Sequence, residues 1–167
     1  MKKFIIGCIC VTVTVAAIAA FGIWYWLIRE TPTLGAALSV PMEVQTGATF
    51  TLTITTTNSH NQPVTLDSID IDDSFLAGFQ VVTIVPEPGD TSHLQLLNQR
   101  SWVFDKAVAP GGTLSVTFTL KAIADGHFTG DVDVCNPAQD FKTFLADVLV
   151  MANKPDKADK PAVNSRP

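Results

Sequence analysis

Two stretches of the chain alternate so strictly that they leave little freedom for the fold. In GATFTLTITTTN, Gly47 to Asn58, the residues Phe50, Leu52 and Ile54 fall on one side, and Thr49, Thr51, Thr53 and Thr55 on the other. In TLSVTFTLKA, Leu114, Val116, Phe118 and Leu120 alternate with Ser115, Thr117, Thr119 and Lys121. Period two with β-branched residues on the wet side is the pattern of a half-buried antiparallel strand, and a helix would scatter these apolar residues around its circumference.

Weaker segments fit the same plan. Val40, Met42 and Val44 alternate around Pro41, which cannot donate to a ladder, so an edge strand is expected there, ended by a turn at Thr46-Gly47. Val64 to Ile71 reads as a strand whose apolar parity slips between Leu66 and Ile69, which calls for a bulge or bend near Asp67. Further strands are expected at Phe79 to Val85, His93 to Leu97, Ser101 to Asp105, Phe128 to Val134 and Phe144 to Val150. Asn58 to Pro63, Pro86 to Ser92, Ala107 to Thr113, Asp125-Gly126 and Asn136 to Asp140 are turn chemistry. Short strands separated by such turns, with no long helical period, predict an all-β antiparallel sandwich over residues 36–152.

That body follows a very different segment. Phe4 to Ile28 contains no charged side chain and exceeds the roughly 20 apolar residues that a helix needs to cross a hydrocarbon core. Trp24, Tyr25 and Trp26 cluster at its end, where amphipathic rings favour the lipid–water boundary. A cleaved signal is the alternative, with Lys2 and Lys3 as the basic start and Ala17-Ile18-Ala19 as the cleavage site. The apolar run continues well past Ala19, so the expectation is a retained transmembrane helix or signal anchor over residues 1–30. With positive charge kept inside, either fate delivers the body across the membrane. A lipidated Cys8 is disfavoured because only Phe4, Ile5 and Ile6 precede Gly7 as apolar residues. A connector over residues 31–35 and a polar, Lys-Pro-bearing, disordered tail over residues 153–167 complete the division.

The whole chain carries −5, but Glu30 to Ala152 holds four basic side chains against fourteen carboxylates, a net −10. Such a body repels phosphate backbones, which excludes nucleic acid as a partner and leaves basic proteins and divalent cations. Cys8 and Cys10 lie in the apolar run, and Cys135 has no partner in the body, so no internal disulfide is expected.

The motifs GATFTLTITTTN and APGGTLSVTFTLKA, with Trp102 between them and Gly126 and Phe128 after, resemble a bacterial extracellular immunoglobulin-like domain. The similar groups are the conserved-repeat and cell-adhesion-related sandwiches of surface proteins. The resemblance implies adhesion, spacing or complex assembly without catalysis. This chain has one copy, lacks the paired cysteines of antibody domains, and has its only tyrosine, Tyr25, in the apolar run, so it carries no tyrosine corner.

No hydrolase, zincin or phosphate-loop motif is present. Ser59-His60 and Ser92-His93 are loop pairs, and His60, His93 and His127 lack ligand spacing. The acidic run DSIDIDDS offers Asp67, Asp70, Asp72 and Asp73 as oxygen ligands for calcium, although it lacks a Gly-containing calcium loop and fits equally a solvated acidic strand end. Asp131 and Asp133 alternate outward in the same way. The expected function is a membrane-anchored, extracytoplasmic interaction or accessory module of an envelope assembly. It would bind the bilayer through residues 4–28 and other envelope proteins through a sheet edge or its loops, with Asn58 to Pro63 and Pro86 to Ser92 the natural candidates, and with no cofactor. The alternative is a calcium- or carbohydrate-binding module.

Overall fold

A computed structural model describes residues 18, 21, 22, 33–137 and 140–153. The chain divides into two units between Pro32 and Thr33. The apolar run of residues 4–28 lies outside the described residues except for Ile18, Phe21 and Gly22, which are helical. Among the described residues no helix is long and apolar enough to cross a membrane. The tail beyond residue 153 also lies outside them.

The second unit is two β-sheets packed face to face. Its strands are β1 (Gly35–Ser39), β2 (Glu43–Gln45), β3 (Thr49–Thr57), β4 (Val64–Asp72), β5 (Phe79–Val85), β6 (Asp90–Leu94), β7 (Gln99–Val108), β8 (Thr113–Ala122), β9 (Gly126–Cys135) and β10 (Phe141–Met151), with a single helical turn, α1 (Asp73–Leu76), after β4. One sheet has the order β1-β3-β8-β5 and the other β2-β10-β9-β4-β7-β6. The two strictly alternating segments are neighbours: β3 and β8 pair antiparallel from Thr49↔Lys121 to Thr57↔Thr113. Their inward residues Leu52, Ile54, Val116, Phe118 and Leu120 are all 0% exposed. Their outward hydroxyls meet across the strands, Thr53 with Thr117 at 3.4 Å and Thr55 with Ser115 at 3.3 Å.

The facing sheet contributes Leu66, Ile69, Ile71, Trp102, Phe104, Val132 and Val148 to the same core. The parity slip in β4 is real. Leu66 pairs with Lys106 and Ser68 with Val103, so one residue of β4 opposes two of β7. The extra residue therefore belongs to β7, at Phe104-Asp105, and Asp105 takes φ +46° to make it. Trp102 is buried and meets Phe118 edge-on at 5.0 Å, a contact between the sheets.

Three expectations need correction. The edge strand around Pro41 is two strands, because the chain leaves the first sheet after Ser39 and enters the second at Glu43; Pro41 sits in the crossing, where no ladder donor is required. β2 runs parallel to β10, so the sandwich is not wholly antiparallel. The loop at Pro86 to Ser92 ends early, since β6 begins at Asp90 and pairs Asp90↔Val103 to Leu94↔Gln99, while Gln95 to Asn98 form the turn. In addition Leu34, within the segment read as a connector, is 4% exposed and packs in the core.

Candidate interaction surface

The outer face of the six-stranded sheet concentrates the polar chemistry of the body. Cross-strand register sets Asp70 directly opposite Asp133 on one side and Ser101 on the other, with Ser68 opposite Cys135. Like charges directly opposite each other repel, so each carboxylate needs donors. Asp133 has them: Gln99 Nε2 donates at 3.0 Å and Thr143 Oγ1 at 2.5 Å. Asp70 is poorly served. It is 9% exposed, its Oδ2 accepts only the long Cys135 thiol contact at 3.6 Å, and its Oδ1 is buried with no hydrogen-bond partner among the described residues. The Cys135 thiol is pushed up to about 12, first by burial and then by the Asp70 carboxylate beside it.

The other members of the acidic run are committed elsewhere. Asp72 Oδ2 accepts the Asp131 backbone N–H at 2.9 Å, and Asp73 Oδ2 meets His93 Nε2 at 2.6 Å. Asp67 sits at the bulge, apart from them. The run thus does not converge, and no three His, Cys, Asp or Glu among the described residues are placed to hold a metal ion. Sequence reasoning named Asp70 and Asp133 separately but missed that they face each other, because only register joins strands so distant in the chain. The histidines are likewise dispersed. His60 lies on the Thr33 backbone and His127 Nε2 meets Asp147 Oδ1 at 2.5 Å.

Of the two loops expected to bind partners, the first is anchored by its own Asn58. That side chain is 0% exposed, donates to Gln62 O and Val108 O at 2.8 Å each, and accepts the His60 N–H at 2.9 Å. Only Asn61 to Pro63 and Ser59 project to solvent. The second loop borders an open groove of about 550 Å³ between Val81–Ile84 and Glu87–Thr91.

The largest group of exposed apolar side chains does not follow the loops. Phe141, Leu145, Leu149 and Met151 line the outer side of β10, at 59%, 65%, 40% and 42% exposure, beside Met42 at 83%. A smaller hollow of about 270 Å³, lined by Val40, Met42, Leu145 and Asp147, adjoins them. Within the sandwich, other exposed apolar side chains are Val82 and Val85 on β5, Ile123 after β8, and Leu96 and Leu97 in the β6–β7 turn, where Leu96 is 98% exposed.

This arrangement has known parallels in shape. The body has an immunoglobulin-like sandwich fold. A cohesin module from a family 33 glycoside hydrolase of Clostridium perfringens ATCC13124 is similar to it with a TM-score of 0.50 at 12% identity, over 73% of this chain and 99% of that one. The CARDB domain of PF1109 from Pyrococcus furiosus, solved in complex with di-metal ions, gives 0.45 at 14% identity over 73% and 90%. AvmM, which catalyses macrocyclization in alchivemycin A biosynthesis, gives 0.47 at 12% identity over 77% and 93%. No family model and no curated protein sequence matches the chain. At such identities the likeness is one of fold, and function has to be argued from the surface.

Proposed function

We propose that this chain is a non-catalytic interaction module of the bacterial cell envelope, held by residues 4–28 in the cytoplasmic membrane with its acidic sandwich on the extracytoplasmic side. The observation that carries the reading is the rim of Phe141, Leu145, Leu149, Met151 and Met42, apolar side chains gathered along one strand and bordered by carboxylates. Apolar side chains gathered in this way, with only Thr143 and Asp147 set among them, cost solubility unless a partner covers them. Two of the carboxylates beside it are engaged within the sheet, Asp133 by Gln99 and Thr143 and Asp147 by His127. The uncharged length of Phe4 to Ile28 supports the anchor. Alkaline carbonate extraction of membranes from expressing cells tests the tether. The chain stays in the pellet if the reading holds, and its recovery in the supernatant would overturn it.

A second reading, a cation-binding module, draws on the unpartnered Asp70 Oδ1 facing Asp133. Oxygen ligands at that pair suit calcium, and a bound ion would remove the repulsion. Calcium that binds the native state alone raises Tm further with each increase of its concentration above Kd, so a Tm unchanged by millimolar calcium removes this reading. Its carbohydrate-binding variant loses its one body tryptophan, because Trp102 lies in the core.

A further inference from the structure

The interaction reading can be given a surface and a partner chemistry. Of the strand edges in the two sheets, most are blunted. β1 and β6 have five residues each, and β5 is interrupted by a bulge at Val82, where Val81↔Leu120 is followed by Thr83↔Thr119. β10 differs. It pairs with β9 from Phe141↔Cys135 to Val150↔Gly126 with no register shift, and on its other side β2 covers only Leu149 to Met151.

The backbone direction of the uncovered part follows from one hydrogen bond. Leu149 N–H donates to Met42 O at 2.8 Å, away from β9. Backbone polar groups alternate sides along a strand, so the N–H and C=O of Thr143, Leu145 and Asp147 also point away from β9. Among the described residues nothing pairs with them. The line of β2, extended past Met42, leads along this open edge, and the hollow beside Leu145 lies on it.

Charge selects the occupant. The outer face next to the edge bears Asp131, opposite Leu145, together with Asp133, Asp147, Asp70 and Asp72. None of the body's lysines or arginines falls on that face, where the one basic side chain is His127 on Asp147. Arg100, Lys106 and Lys142 share the core-facing parity of Trp102, Val108 and Phe144, and Lys121 belongs to the other sheet. A second copy of the chain would bring a second set of carboxylates and be repelled.

We propose that the open edge of β10, Phe141 to Asp147, is a docking site for an extended segment of another protein in which apolar residues alternate with Lys or Arg. The segment adds a strand in line with β2. Its backbone pairs with Thr143, Leu145 and Asp147, its cations lie on the outer face beside Asp131 and Asp147 with their alkyl stems over Leu145, and its apolar side chains fall on the opposite side, that of the half-buried Phe144. This inference rests on the interaction reading above.

The test uses the full chain in non-ionic detergent and a nine-residue peptide alternating Lys and Val with blocked ends, with a Glu–Val peptide as control. The Lys–Val peptide is expected to slow amide exchange at Thr143, Leu145 and Asp147 by about tenfold or more at saturation, and the Glu–Val peptide is not. Leu145→Pro removes an outward donor that β9 does not use, and should raise Kd at least about tenfold. Should that variant fail to fold, Asp131→Lys serves in its place, because its exposed side chain makes no contact the sheet requires; it should weaken the Lys–Val peptide and favour the Glu–Val one. The proposal is overturned by no protection at millimolar peptide, by equal binding of the two peptides, by protection at β5 instead, or by edge protection that appears with protein concentration alone. Any of these results beside a carbonate-resistant chain leaves the membrane module standing and removes only this edge.

Discussion

Asn58 ties three segments of the sandwich together through a single side chain. Its amide serves Gln62 and Val108, its carbonyl oxygen takes the His60 N–H, and its backbone exchanges bonds with Gly111 and Gly112. Removing that amide strands buried carbonyls, so Asn58→Ala should cost about 3 kcal/mol in denaturant unfolding, while Ser59→Ala, one residue on and exposed, should cost almost nothing. Cys135 makes the opposite statement about chemistry. A thiol held up at about 12 presents at pH 8 roughly a thousandfold less thiolate than an ordinary cysteine, so peptide mapping should show iodoacetamide reaching Cys135 in the folded chain about that much more slowly than in urea. The folded thiol keeps its proton more tightly than the unfolded one. Its contribution to stability is therefore intact below about pH 9 and is lost as the pH climbs toward 12. Rapid labelling at pH 8 would contradict the burial that causes the shift.

Among the elements, β9 and α1 show how a small residue fixes a junction. A Cβ at Gly130 would stand 2.8 Å from Asp72 Cβ and 2.9 Å from Phe75 Cβ, so the helical turn can lie against β9 only because that position has no side chain. Gly130→Ala should destabilise by about 1–3 kcal/mol, and a smaller effect in calorimetry would mean that α1 yields. The strands that the sequence discloses most plainly are those with one dry face and one wet one: β3 and β8 carry that contrast in their residues, whereas β10 alternates with an outer face that is itself partly apolar. β6 hides because its burial pattern is exposed at four of five positions, leaving Asp90 to His93 with no apolar period to read. β1, GAALS, is equally silent. The slip in β4 was legible as an irregularity, but its owner, β7, was not, since a bulge is a property of two strands. The candidate site divides in the same way. Asp70 and Asp133 are each visible as outward acids, whereas their opposition, and the donors Gln99 and Thr143, exist only once register is set.

At the scale of the whole molecule, composition states two things that packing does not: an uncharged run before the body and a body with a charge of −10. The sandwich places that negative charge unevenly, with the outer face of the larger sheet free of Lys and Arg and with an unfinished strand edge beside it. A basic partner of the kind proposed would be steered by that field, and its capture should weaken as salt is raised, because surface charges are screened beyond about 10 Å at 0.1 M. The central claim, that the run of residues 4–28 holds the sandwich outside the cytoplasm, is tested most directly by labelling. Met42 is 83% exposed, so Met42→Cys offers a reactive thiol on the body while Cys135 stays silent. In intact spheroplasts a membrane-impermeant maleimide should modify Met42→Cys within minutes and leave the parent chain's Cys135 unmodified. Labelling of Met42→Cys only after the cells are lysed would place the body in the cytoplasm and contradict the account.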